Sequence, residues 1–231
     1  MLFRNRRDAG RQLASCLAGF ANRDDVIVLG VPRGGVVVAF EVASFLKVPM
    51  DVFVLRKLGV PGHDELAFGA IGGGGVRVLN ASVVDHFQLS ELEIAAVTQA
   101  ESEELHRRER LYRGDRPELA VRGRTVLLVD DGIATGSSLL AAVHAIRKLR
   151  PAAVVVATPV APRGARDRFI REVDKLICVR TPEPFYGVGQ FYADFSQVSD
   201  EEVVDLLRRA FQLRAKEQRD ESPGAARATL S

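Results

Sequence analysis

The chain has 231 residues, 47% of them hydrophobic, and is therefore long enough to bury a full core in a single domain. Its 32 basic and 30 acidic residues leave a formal net charge of +2, so no global field draws it onto nucleic acid or an anionic membrane. The charged N-terminus, the lack of any apolar run near 18 residues and the two isolated cysteines argue against a signal peptide, a membrane span, a disulfide framework and a zinc site. They predict a cytoplasmic protein.

The first quarter of the chain predicts a helix, a strand, a glycine-rich loop and a second helix. The opening helix is amphipathic because four apolar residues share one face: Leu13, Cys16, Leu17 and Phe20. The run from Val26 to Val31 predicts a buried strand. It ends at Pro32, Arg33, Gly34 and Gly35, here named the Arg-Gly-Gly loop, and a long apolar stretch after it predicts a buried helix.

The segment after residue 50 predicts a strand, a loop and a hairpin. Asp51 to Arg56 is a second buried strand, and the stretch KLGVPGHDEL after it marks a loop through its glycines and proline. Two short strands, LAFGAI and VRVLN, follow and are joined by Gly72 to Gly75.

The second half alternates helices with strands. Ser90 and Glu93 predict a capping box that starts a long helix ending near Tyr112. The elements after it are TVLLVD, a helix from Ser138 to Leu149, AAVVVATPV, a helix near 165–173, KLICVR and a helix capped by Ser199 and Glu202. This alternation predicts an α/β fold with a doubly wound, mainly parallel sheet.

Residues 126 to 138, VLLVDDGIATGSS, carry the strongest functional signal. Parallel sheets bind ligands beyond the carboxyl ends of their strands, where Asp130 and Asp131 lie. Adjacent carboxylates repel each other and need hydroxyls, a cation or water around them. Gly132, Ala134, Gly136 and Ser137 let the backbone wrap an oxyanion at a helix N-terminus. Residues 130–138, here named the acid-glycine loop, therefore predict a site for phosphorylated ribose.

Other interpretations of this stretch remain open at this point. A triphosphate P-loop needs a lysine that is missing here, and the dinucleotide fingerprint GxGxxG is absent. A purely structural role, with Asp130 as a turn acid and Ser137 or Ser138 as a helix N-cap, would suit any α/β protein.

The acid-glycine loop resembles the phosphoribosyl-diphosphate-binding motif of the type I phosphoribosyltransferases. The resemblance implies that Asp130 and Asp131 hold the ribose hydroxyls. The residues implied to hold the 5-phosphate and its surroundings are Gly132, Ile133, Ala134, Thr135, Gly136, Ser137 and Ser138. The resemblance covers roughly residues 26 to 180. It is strongest to predicted phosphoribosyltransferases whose substrate is unassigned.

Two further elements match the family in the same order along the chain. The Arg-Gly-Gly loop is similar to its pyrophosphate loop, which commonly contains a cis peptide, so Pro32, Arg33, Gly34 and Gly35 are implied to bind pyrophosphate. Arg56 and Lys57 resemble the Arg-Lys pair that opens the flexible catalytic loop of the orotate and adenine enzymes. That loop here lacks the further lysine of the orotate enzymes, and its polar members are His63, Asp64 and Glu65.

The implied reaction is the Mg²⁺-dependent transfer of 5-phosphoribosyl from phosphoribosyl diphosphate to a nitrogen acceptor, with release of pyrophosphate. Arg33, Lys57 and His63 are the candidate catalytic residues, and Asp131 is the candidate metal contact, directly or through water. A lone loop histidine is more often simply solvated, and this is the alternative role for His63.

The resemblance also predicts a hood that recognises a nucleobase-like acceptor. We expect it to form from the N-terminal helix and residues 181–198 of a single domain spanning 1–212, followed by a disordered tail at 213–231. Phe185 and Tyr186 are candidates for stacking on the acceptor, although packing of the hood is an alternative role for the aromatics there. Ala134 replaces the acid of the hypoxanthine-guanine enzymes, which argues against a six-oxopurine.

Other classes of function are not excluded by the sequence. A protein of the same fold could sense phosphoribosyl diphosphate or a nucleotide without turnover. Nucleic-acid binding is disfavoured because the arginines between 107 and 124 alternate with acids. Dimers are common in the resembling family, and no sequence feature decides for or against a homodimer.

Overall fold

The computed structural model describes residues 2–114, 116 and 119–220. Its eight strands are β1 Val26–Gly30, β2 Met50–Val52, β3 Leu55–Val60, β4 His63–Gly72, β5 Val76–Leu79, β6 Thr125–Val129, β7 Ala153–Val160 and β8 Lys175–Arg180. Its seven α-helices are α1 Arg6–Cys16, α2 Gly34–Leu46, α3 Ala81–His86, α4 Glu91–Arg113, α5 Ser137–Lys148, α6 Ala165–Phe169 and α7 Asp200–Asp220.

Five strands form a parallel sheet in the order β2-β1-β6-β7-β8. The central strand β6 is buried along its whole length, because helices cover both faces of the sheet. One face packs on α5 through a cluster that includes Phe53, Ile146 and Phe169. The other packs on α1 and α2 through Leu13, Leu46 and their neighbours. The predicted doubly wound α/β architecture is therefore confirmed.

A second, antiparallel sheet has the order β3-β4-β5. Part of it was predicted as the loop KLGVPGHDEL, and that prediction is wrong, because Val60 pairs with His63 and Lys57 pairs with Ala70. Pro61 and Gly62 join the strands, and Gly62 supplies the positive φ of +77° that such a tight turn needs. The predicted hairpin of β4 and β5 is present. The single strand predicted at 51–56 instead divides, so that β2 lies in the parallel sheet and β3 in the antiparallel one.

Two predictions about helices are also corrected. Cys16 is exposed, whereas Leu13 and Leu17 are buried. Leu13 and Leu17 are four residues apart and lie on the buried face of α1, and Cys16 lies at the edge of that face. Helix α7 continues to Asp220, so residues 213–220 are helical and not a disordered tail, consistent with their strong helix formers. Residues 221–231 of the predicted tail lie outside the described residues. Where the structure describes the chain, no helix is both long and apolar enough to cross a membrane.

The predicted hood segments pack together at one end of the parallel sheet. The N–H of Phe3 donates to the carbonyl of Phe191 at 2.8 Å, and the N–H of Ala193 donates to the carbonyl of Phe3 at 2.8 Å. Phe3 and Tyr192 are buried in the same small cluster, next to Val160 of β7. The start of the chain and residues 181–198, together called the hood below, are thus joined through backbone and core contacts.

Candidate functional site

The acid-glycine loop leaves the carboxyl end of β6, the middle strand of the parallel sheet. Asp130 and Asp131 follow that strand directly, and Asp130 Oδ1 accepts the N–H of Asp131 at 2.8 Å. Burial raises the pKa of Asp130 well above its ordinary value, and the neighbouring Asp131 raises it further. Burial also raises the pKa of Asp131, while Arg6 opposes the shift. Such a crowded pair of acids is expected where a ligand or cation completes the environment.

The Arg-Gly-Gly loop packs directly on these two acids. A Cβ at Gly34 would overlap the Asp131 carboxylate, and a Cβ at Gly35 would lie 2.9 Å from Asp130 Cα and 2.8 Å from the carbonyl oxygen of Val129. Only glycine fits so close an approach of two backbones. The Pro32–Arg33 peptide is cis, as the resemblance implies, and Arg33 forms the N-cap of α2. The structure therefore brings together two motifs that lie about a hundred residues apart in sequence.

The remainder of the acid-glycine loop runs into the N-terminus of α5. Gly136 is the N-cap with φ +77°, and α5 begins at Ser137, one residue before the predicted start. Ile133 is buried and its N–H donates to the carbonyl of Val160 at 2.9 Å, which anchors the loop to β7. The side chains of Ala134, Thr135, Ser137 and Ser138 are all exposed, and Thr135 and Ser137 line the cavity described next. The first N–H groups of α5 and these hydroxyls form a concentration of donors suited to an anion.

Lys57 shares a cavity of about 820 Å³ with this loop. The cavity lies between the antiparallel sheet and α5, and Thr135 and Ser137 line it together with Lys57. His144 lines it as well and pairs with Glu172 at 2.8 Å. His144 was missed by the sequence analysis, although its position seven residues after Ser137 places both on one face of α5.

Two predicted site residues are directed elsewhere. Arg56 Nε donates to Glu101 Oε2 of α4 at 2.6 Å. The ring of His63 packs against Phe87, with 5.0 Å between ring centroids. Neither contact involves the Arg-Gly-Gly loop or the acid-glycine loop. Asp64 and Glu65 lie in β4, and their side chains are outside the described residues.

The aromatic residues of the hood divide into two groups. Tyr192 is buried and its hydroxyl donates to the carbonyl oxygen of Asp131 at 2.5 Å. Phe185 packs on Phe191 with 5.1 Å between ring centroids, whereas Tyr186 is 86% exposed. Some of these rings therefore pack the hood onto the site, and Tyr186 is left available to a ligand.

The hood also supplies a residue that the sequence analysis missed. Arg6 Nε donates to Asp131 Oδ2 at 2.7 Å, across 125 residues of sequence. No local signal marks Arg6, because it lies among several arginines near the start of the chain.

Asp130 and Asp131, here named the acid couple, fit a hard divalent cation. Among the described residues no group of three or more His, Cys, Asp or Glu side chains could form a metal site by itself. Mg²⁺ is commonly bound by one or two carboxylates, with phosphate oxygens of a substrate and water completing its coordination. Asp130 and Asp131 supply that number of carboxylates, beside a predicted diphosphate-binding loop.

Comparison with known proteins gives consistent matches. A family model described as the phosphoribosyl transferase domain matches residues 73–195. Two proteins of Mycobacterium tuberculosis, from strains CDC 1551 and H37Rv, are each 49% identical over 209 residues, which cover 90% of this chain and 47% of theirs. Both carry the name "Putative phosphoribosyl transferase". The chain spans about half the length of these curated relatives.

A solved structure matches nearly end to end. The crystal structure of TT1426 from Thermus thermophilus is 41% identical, covers 90% of this chain and 99% of its own, and superimposes with a TM-score of 0.81. The mainly parallel sheet and its flanking helices match the type I phosphoribosyltransferase fold. The chain belongs to the phosphoribosyl transferase domain family.

Proposed function

We propose that this chain transfers 5-phosphoribosyl from phosphoribosyl diphosphate to a nitrogen atom of a nucleobase-like acceptor, with Mg²⁺ present and with release of pyrophosphate. One observation carries the proposal, namely the packing of Gly34 and Gly35 against Asp131 and Asp130. In this proposal the ligand that spans both loops places hydroxyls against the two acids and a diphosphate against the Arg-Gly-Gly loop. Phosphoribosyl diphosphate has that layout, and its 5-phosphate would reach the N-terminus of α5.

Each part of the site has a proposed role. Asp130 and Asp131 accept hydrogen bonds from the ribose hydroxyls, and residues 132–138 hold the 5-phosphate through main-chain N–H groups and hydroxyls. Arg33 and the backbone of the Arg-Gly-Gly loop hold the leaving pyrophosphate, and Lys57 adds a cation from the antiparallel sheet. These groups position the sugar and stabilise negative charge as the bond from C1 to the diphosphate breaks.

Mg²⁺ has a defined role in this proposal. It would neutralise the diphosphate when bound to Asp131, directly or through water. Acceptor recognition is assigned to the hood, with Tyr186 and Phe185 as the stacking candidates.

A second candidate function is binding of phosphoribosyl diphosphate or a nucleotide without turnover. Arg56 pairs with Glu101 and His63 packs on Phe87, so two groups of the proposed catalytic segment are not directed at the acid couple. A sensor needs the acid-glycine loop but does not need the side chains of Arg56 and His63.

Pyrophosphate release distinguishes the two candidates. The chain is incubated with radiolabelled phosphoribosyl diphosphate, Mg²⁺ and a panel of purine and pyrimidine bases, and pyrophosphate is measured. The enzyme proposal expects release that depends on one base and on Mg²⁺. Binding measured by calorimetry without release for any base would support the sensor, and absence of binding would contradict both.

A further inference from the structure

Arg6 connects four parts of the molecule at one point. Its Nε donates to Asp131 Oδ2 at 2.7 Å, and its Nη1 donates to the carbonyl oxygen of Ser196 at 2.7 Å. The guanidinium lies 3.9 Å from the centroid of the Phe195 ring. A Cβ at Gly34 would overlap both Arg6 Nε and Asp131. The two segments of the hood, the Arg-Gly-Gly loop and the acid couple therefore meet at this side chain.

The location of Arg6 is unfavourable for the helix that carries it. Arg6 is the first residue of α1, and a cation at a helix N-terminus opposes the helix dipole. The side chain is nevertheless only 12% exposed, beside an Asp131 side chain that is 16% exposed. An ion pair so shielded from water is strongly coupled, and loss of one partner leaves the other charge poorly solvated. The contact with Asp131 explains why an arginine is compatible with this position.

The geometry leaves Asp131 able to bind a ligand while it is held in place. Arg6 engages Oδ2, so Oδ1 can accept a hydrogen bond from a ribose hydroxyl. The planar guanidinium is itself fixed by Ser196 and Phe195, which limits rotation of the carboxylate that it holds. Carboxylates that bind ligands are commonly oriented in this way by a neighbouring donor.

We propose that Arg6 is a positioning residue that orients Asp131 toward the ribose and transmits the position of the hood to the ribose subsite. This inference rests on the proposed function, because it assumes that Asp131 binds a sugar. A residue with only a general stabilising role would affect the binding of every ligand equally. Loss of Arg6 should weaken binding of the sugar but not of a ligand held by the Arg-Gly-Gly loop alone.

The test compares two ligands and three variants by calorimetry without Mg²⁺, because a cation bound to Asp131 would link pyrophosphate to that acid. The ligands are ribose 5-phosphate and inorganic pyrophosphate. The variants are Arg6→Gln, Arg6→Lys and the matched control Arg7→Gln, which removes the same charge from the next residue. Arg7 instead pairs with Glu41 and Glu202, each at 3.5 Å.

For Arg6→Gln we expect affinity for ribose 5-phosphate to fall at least about tenfold, the effect of a lost hydrogen bond to a charged group. Affinity for pyrophosphate should stay within about threefold of wild type, and Arg7→Gln should leave both affinities in that range. Arg6→Lys should recover part of the loss, since an ammonium can reach one of the two acceptors but lacks the planar fork. Thermal melting checks that each variant is folded. If Arg6→Gln does not fold, the comparison of the two ligand affinities is made with Arg6→Lys.

Several outcomes would overturn the inference. Equal losses for both ligands would indicate a general structural role, and an unchanged affinity for ribose 5-phosphate would show that Arg6 does not act on Asp131. The same selective loss in Arg7→Gln would indicate a long-range charge effect. If the wild-type chain binds neither ligand, the proposed phosphoribosyl site itself is wrong, and the inference falls with it.

Discussion

The carboxyl edge of the parallel sheet and the antiparallel sheet differ in how closely their candidate residues are held. At the parallel edge, Gly34 and Gly35 abut Asp131 and Asp130, and Tyr192 and Arg6 both hydrogen-bond to Asp131. In the antiparallel sheet, Arg56 and Lys57 are neighbours in sequence but serve different surfaces, α4 for Arg56 and the cavity for Lys57.

The difference follows from the geometry of the two backbones. Successive side chains of a strand point to opposite faces, so two adjacent cations in β3 cannot act on one ligand without a change in conformation. A loop that leaves a strand and enters a helix directs several consecutive groups to one point. Substitutions in the two regions should therefore differ in both size and kind.

The largest effect is expected from Asp130→Asn. Asp130 is proposed to accept a hydrogen bond from a ribose hydroxyl. A hydrogen bond to a charged group contributes about 1.5–3 kcal/mol to the free energy of binding. The affinity for ribose 5-phosphate, measured by calorimetry, should fall about ten- to hundredfold. An unchanged affinity would show that Asp130 does not bind the ribose.

The same substitution should stabilise the fold at neutral pH. Because the pKa of Asp130 is raised in the folded state, the folded chain binds more protons than the unfolded chain above pH ~4, and its stability falls as pH increases. Asparagine does not carry this penalty. The increase in Tm should therefore be present at pH 7 and absent near pH 3, and an equal increase at both would contradict the assignment.

Gly35→Ala and Gly59→Ala compare the packing of the two regions. The new Cβ at Gly35 would meet backbone atoms at 2.8 and 2.9 Å, which cannot move aside as a side chain can, and overpacking of this kind costs about 1–3 kcal/mol. At Gly59 in β3 the nearest atom is the Leu66 carbonyl oxygen at 3.9 Å, so the expected change is within about 0.5 kcal/mol. Urea unfolding measures the change in the free energy of unfolding for both variants. Equal losses of stability would argue against the close approach of Gly35 to Val129 and Asp130.

Lys57→Gln and Arg56→Gln test the division of roles within β3. Lys57 is proposed to add a cation to the pyrophosphate site, so its loss should weaken pyrophosphate binding by about threefold to tenfold. Arg56 is paired with Glu101, and its substitution should reduce stability by no more than about 1 kcal/mol with little change in pyrophosphate affinity. A greater loss of affinity for Arg56→Gln would show that the Glu101 pair breaks when ligand binds.

The smallest effect on stability is expected for Tyr186→Ala, because that side chain is 86% exposed. The free energy of unfolding should change by less than about 0.5 kcal/mol, while the KM for the acceptor should increase if Tyr186 stacks on it. Tyr192→Phe is a useful contrast, since loss of its hydrogen bond to Asp131 should cost about 1 kcal/mol. An unchanged KM for Tyr186→Ala would show that Tyr186 does not stack on the acceptor.

Short-range patterns predicted the parts of the molecule whose conformation is determined locally. Ser90 and Glu93 form the predicted capping box, and the stretch from β6 into α5 lies where the alternation of strand and helix placed it. The Arg-Gly-Gly loop was identified through the family resemblance, and the structure supplies the physical reason for its glycines, which is a close backbone approach to Asp130 and Asp131.

Other features depend on partners that are distant in the chain. Arg6 meets Asp131, and Arg56 meets Glu101 on a helix whose docking no local pattern specifies. The hairpin of β3 and β4 was missed because the glycines and proline of KLGVPGHDEL were interpreted as a loop, although Pro61 and Gly62 form only the turn.

The attachment of the first residues to the hood has a practical consequence for protein engineering. Phe3 is fully buried and Arg6 holds Asp131, so residues 2–6 are not a dispensable extension that can be trimmed to aid crystallisation. Deleting them would expose the hydrophobic surface beneath Phe3 and release an acid of the site at the same time. Versions of this chain that lack residues 2–6 are therefore poor surrogates for its ligand affinity.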